Sequence, residues 1–109
     1  MADLAVRKLS KEGTSPVFTP AGVAGDTFPN NGKTFLIVKN ANVTSDGNVT
    51  INSLTKCNQG FDHDVIVSVP ASGEKWIGPF EPSRFNNSAG KVSATYESET
   101  DLTVAAVSL

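Results

Sequence analysis

The chain holds 109 residues, 39% of them hydrophobic, with a single cysteine and a formal net charge of -2, which fits one compact domain and excludes a two-domain protein. Cys57 by itself excludes an internal disulfide framework and leaves structural zinc without its repeated thiols. Nine Lys and Arg residues face eleven Asp and Glu residues, and Arg7 and Lys8 are the one adjacent basic pair, so no basic face is expected for nucleic acid.

The N-terminal sequence MADLAVRKLSKEG carries Asp3 and no apolar run of signal-peptide length. No segment approaches the ~18 apolar residues of a membrane span. The expected protein is made in the cytoplasm without a signal peptide, has no membrane partner, and leaves only if an assembly carries it. On that expectation the Asn-x-Ser/Thr triplets at Asn42, Asn48 and Asn86 are by-products of polar loops.

A first strand is expected at Leu4–Leu9. The following stretch contains Gly13, Pro16, Pro20, Gly22, Gly25 and Pro29, a density of breakers that forbids a helix and predicts an extended arm or edge segment over Pro16–Pro29. Asn31-Gly32 is the strongest two-residue hairpin signal, and the strand Thr34–Asn40 should begin directly after it. Asp46-Gly47 predicts a second hairpin, pairing that strand with Val49–Leu54. Val65–Val69 places three valines on one face. Pro70–Gly73 turns the chain into Glu74–Phe80, and two more strands follow at Lys91–Ser98 and Leu102–Leu109.

About seven or eight short strands with regular turn signals and no amphipathic helix predict an all-β chain. The expected architecture is a single antiparallel β-sandwich or small barrel over residues 30–109, preceded by an extended N-terminal arm or edge strand over residues 1–29. The expected core is Phe35, Ile37, Val49, Ile51, Val65, Val67, Val69, Trp76, Val92, Tyr96, Leu102 and Val104. A one-residue inversion would place Leu36 and Val38 inward instead of Phe35 and Ile37.

Asp62-His63-Asp64, with Cys57 nearby, is the cluster most like a metal or nucleophile site. In an extended segment, however, Asp62 and Asp64 share a face that excludes His63, so a solvated loop with Asp64 closing a turn is expected. Glu97, Glu99 and Asp101 predict another solvated turn. No phosphate loop, nucleophile elbow or zinc-protease motif occurs, so no enzyme activity, cofactor or metal is expected. Trp76 and Phe80 could form a sugar-stacking platform if exposed, but Trp76 is expected inside.

Three segments together, Gly25–Asn40, Cys57–Phe80 and Arg84–Tyr96, resemble a group of small virion structural proteins of tailed bacteriophages that decorate or cement the capsid. The resemblance covers roughly Gly25 to Leu109 and brings no catalytic residues. It implies a β-sandwich on the capsid exterior that binds the major capsid protein, forms a homotrimer and stiffens the shell. A head-tail joining or tail-associated subunit is the rival within the virion, and a carbohydrate-binding adhesin module the rival from another class. The expected interaction residues lie in the arm: Leu4, Val6, Leu9, Val17 and Phe18 as apolar anchors, and Arg7 and Lys8 toward acidic capsid loops. Against this stands the simpler expectation that Leu4–Leu9 is an edge strand of the same sandwich.

Overall fold

β-branched and aromatic runs between glycine, proline and asparagine breakers become strands. A computed structural model describes residues 2–53, 64–87 and 89–109. Its strands are β1 (Ala2–Asp3), β2 (Val6–Lys8), β3 (Thr19–Pro20), β4 (Asp26–Pro29), β5 (Thr34–Asn40), β6 (Gly47–Ile51), β7 (Val65–Val69), β8 (Glu74–Ile77), β9 (Lys91–Tyr96) and β10 (Leu102–Ser108), with one helical turn, α1 (Pro82–Phe85). The first sheet has the order β1-β4-β9-β6-β7 and the second β2-β10-β5-β8, with β3 also bonded to β10. They pack as a sandwich, a slab 39 × 35 × 20 Å, whose thin dimension fits two sheets about 10 Å apart with their outer side chains.

The fold class is therefore all-β, as the alternation indicates, but three expectations need correction. Asn31-Gly32 and Asp46-Gly47 are not hairpin turns: β4, β5 and β6 alternate between the sheets, so these turns are corners. Asn30 builds the first corner, its side-chain oxygen accepting from the Gly32 amide at 3.0 Å and its amide nitrogen donating to the Phe80 carbonyl at 3.0 Å. Among the described strands, β6 and β7 are the one consecutive pair that bond each other. Secondly, residues 2–29 supply strands to both sheets, and β4 lies between β1 and β9 rather than at an edge. Pro20 and Pro29 are tolerated because each ends its strand. Thirdly, the pairs β1–β4 and β2–β10 are parallel, whereas the other pairings are antiparallel.

Between the sheets lie Phe28, Leu36, Val38, Val49, Ile51, Val69, Val92 and Val104, all fully buried. Leu36 and Val38 face inward, so the one-residue inversion holds in β5. Phe35 is half-buried on the outer face and Trp76 is 59% exposed, which corrects both assignments. The cause is the edge position of β8: Ile77 takes the inward place at 7% exposure, and alternation sends Trp76 out. Val65, Val67 and Tyr96 pack on the core while only partly buried. Phe28, Phe80 and Phe85 close one end, with ring centroids 5.8 Å apart for the first pair and 5.4 Å for the second. Phe80 is thus a core residue and cannot share a platform with Trp76.

A second apolar cluster occupies the outer face of the second sheet. Ile37, Ala105 and Val107 are fully or almost fully buried there. The register sets Ala105 beside Ile37 and Val107 beside both Phe35 and Arg7. Phe18, directly before β3, lies against Lys39, which the register sets beside Thr103. Gly78 joins this layer by necessity: at φ +130°, a Cβ there would stand 2.8 Å from Phe35 Cβ.

One buried polar pair joins β4 to β9. The Tyr96 hydroxyl donates to Asp26 Oδ2 at 2.6 Å, and Asp26 is 1% exposed. Burial and the adjacent carboxylate push the phenol well above its ordinary value of 10.0. The folded chain therefore keeps a proton that the unfolded chain releases, so this stabilisation is complete below about pH 10 and is lost as pH rises further. Tyr96→Phe should cost about 1–3 kcal/mol in neutral urea titrations and should flatten the loss of stability above pH 10. Phe28→Ala, which empties the closed end of the sandwich, should cost about 3–5 kcal/mol in the same assay.

Candidate interaction surface

The N-terminal segment changes sheet at Leu4, whose amide donates to the Thr27 carbonyl at 2.7 Å. Asp3 accepts a hydrogen bond from the Thr27 hydroxyl and pairs with Lys91 at 3.1 Å. Both contacts, the hydrogen bond first, hold the Asp3 carboxyl below its ordinary value of 3.8. The chain then runs parallel to β10, with the Leu9 amide reaching the Ser108 carbonyl at 2.7 Å. A tight excursion follows, closed by Thr14 Oγ1, which accepts from the Ser10 amide at 3.1 Å and donates to the Lys8 carbonyl at 2.9 Å. The chain comes back as β3 on the same edge of β10.

These constraints sort the seven expected anchors. Leu4 is 8% exposed and belongs to the core, and Val6 packs against it, so neither is available to a partner. Arg7 and Lys8 are exposed, Leu9 is 38% and Val17 52% exposed, and Phe18 is half-buried with its ring centroid 4.1 Å from Lys39 Nζ. The structure therefore brings Arg7, Lys8, Leu9 and Val17 to one solvent-facing edge. Leu109, 60% exposed, joins them because it directly follows Ser108, whose carbonyl accepts the Leu9 amide. The strands of this sheet carry Arg7, Lys8, Lys39 and Lys75 against Glu74, while those of the other carry Asp3 and Asp26 against Lys91. The strands of the second sheet are consequently the more basic of the two, with Arg7 and Lys8 on its N-terminal edge.

Where β2 and β3 divide the edge of β10, a cleft of about 410 Å³ opens between Leu4, Arg7, Val17, Asp26, Ala105 and Ala106. Its buried carboxylate is committed to structure, since Asp26 Oδ2 accepts both the Tyr96 hydroxyl and the Gly22 amide, the latter at 3.0 Å.

At the far edge of the same sheet is a group that the sequence pattern assigns to the interior. Trp76 stacks on Phe35 with centroids 5.3 Å apart and planes 20° apart, and its Nε1 donates to Glu74 Oε2 at 2.7 Å. Alternation alone separates Trp76 from Ile77 without saying which faces out; the edge position of β8 decides that. Cys57, Asp62 and His63 lie outside the described residues, while Asp64 Oδ1 accepts the Ser53 amide at 2.7 Å. Among the described residues, no three His, Cys, Asp or Glu side chains are placed to hold a metal ion, and no helix is long and apolar enough to cross a membrane.

No protein-family model, curated protein or solved structure matches this chain.

The division between spent and available anchors is measurable. Leu4→Ala should lose about 2–5 kcal/mol in chemical denaturation, whereas Leu9→Ala and Val17→Ala should stay within about 0.5 kcal/mol of the parent.

Proposed function

We propose that this protein is a phage-type virion structural subunit that binds and stabilises the outside of the capsid shell. In that role it is not an enzyme and uses no cofactor. The observation that carries the proposal is the N-terminal edge: apolar Leu9, Val17 and Leu109 stand exposed beside Arg7 and Lys8 on an edge whose backbone is already fixed by pairing with β10. A small apolar centre with a charged rim is how protein surfaces combine affinity with orientation. The partner that fits is an acidic surface of the major capsid protein. The likeness of three sequence segments to capsid-decorating proteins supports the same partner.

A homotrimer fits this role as well. Copies joined head to tail close into a ring when the rotation allows. The site of action is then the capsid exterior.

The full-length chain carrying Arg7→Glu and Lys8→Glu should bind undecorated shells at least about tenfold more weakly in cosedimentation, with an unchanged melting temperature and a reduced salt dependence. Unchanged binding would remove this edge from the interface. Particle density at the portal vertex or tail, with none over the capsomers, would replace shell decoration by a joining role.

A further inference from the structure

We infer that the outer face of β8, with the shallow cavity beside it, is a binding site for a neutral pyranose-containing oligosaccharide. Trp76 is 59% exposed yet fixed in orientation, because Phe35 stacks against one face of the indole and Glu74 holds its N–H at 2.7 Å. The opposite face is left to solvent. An aromatic ring immobilised before binding loses little freedom when a ligand arrives.

Next to it lies a cavity of about 300 Å³ formed by Lys39, Ser72, Gly73, Glu74 and Thr103 among its walls. The register sets Glu74 beside Lys39 and Lys39 beside Thr103. Glu74, Lys39 and Thr103 therefore follow one another across β8, β5 and β10 at the ~4.8 Å spacing of neighbouring strands, with the Lys39 ammonium reaching over the Phe18 ring at 4.1 Å. Glu74 belongs to both features, so the ring and the polar row are contiguous.

This combination matches the two-sided chemistry of a pyranose. Its C–H face is weakly electropositive and suits the electron-rich face of an indole. Its hydroxyl rim both donates and accepts, which requires an acceptor such as Glu74 and donors such as Ser72 and Thr103. The Glu74 carboxylate, held beside the ring, repels an anionic sugar, which favours a neutral one. A protein partner fits less well. The apolar residues beneath, Ile37, Ala105 and Val107, are already covered, so the face offers one ring and a small polar cavity, far from the ~800 Å² per partner of a standard protein interface.

Trp76 is the sole tryptophan, so its emission reports this site and no other. The full chain is titrated with maltohexaose, cellohexaose, mannohexaose and N-acetylchitohexaose, each to about 10 mM, and emission is followed. At least one should produce a saturable shift with a Kd in the range of roughly 0.1–5 mM, the weak affinity of a single-ring platform. Glu74→Gln should weaken that binding at least tenfold by emission, and Trp76→Ala should abolish it by calorimetry. Both side chains are exposed, so melting temperatures should move by only a few degrees, and Glu74→Gln carries the test if Trp76→Ala does not fold. Absence of saturation with all four sugars overturns the assignment, as does binding that survives both substitutions. Binding of this kind is independent of shell attachment, which Arg7→Glu and Lys8→Glu address at the other edge.

Discussion

The pairing of β10 on both of its edges is the constraint from which the architecture follows. Leu102, Val104 and Ala106 are buried on its inner side and Ala105 and Val107 on its outer side, so both faces are largely withdrawn from water. An unpaired backbone donor or acceptor in such a place costs about 1–3 kcal/mol. β5 satisfies one edge along seven residue pairs from Leu102 to Ser108. The other edge is divided, with β2 taking Ala106 to Ser108 and β3 taking Thr103 and Val104. The Pro-rich N-terminal segment is thus built into the fold because the last strand needs its hydrogen bonds.

That requirement also shapes the surfaces. Holding β2 against β10 fixes Arg7 and Lys8 at a solvent-facing edge, directly after Val6, which packs on the core, and directly before Leu9. A partner that docks there meets a preformed edge and does not have to order a floppy arm, which removes a large entropic cost of association. The cover over Ile37, Ala105 and Val107 leaves Trp76 as the exposed aromatic at the opposite edge, three strand spacings away. Attachment at one edge and sugar contact at the other are therefore spatially compatible on a single sheet.

The existence of most strands is legible in the amino-acid pattern. Thr34–Asn40 and Val65–Val69 have the predicted bounds, because runs of β-branched residues between Gly, Pro and Asn specify extended backbone locally. Pairing partners are not legible in the same way. Asn31-Gly32 and Asp46-Gly47 make local reversals with the same chemistry whether the next strand joins its neighbour or crosses to the other sheet. Only the burial of Leu36 and Val38 against Val49 and Ile51 chooses the crossing. Val6, Arg7 and Lys8 are recognisable as extended, but their partner lies about a hundred residues later, at Ala106 to Ser108, and no local pattern carries that information.

The sequence by itself determined the all-β class and the positions of the longer strands, since each depends on composition and on neighbours within a few residues. Tertiary structure decided which face of each strand is buried, which strands bond, and which apolar side chains remain for a partner. Alternation defines two faces without naming the inner one. Leu4 looks like Leu9, and Trp76 like a core aromatic, until the sheet edge and the facing layer are in place. Long-range packing then buries Leu4 and leaves Leu9, Val17 and Trp76 in solvent.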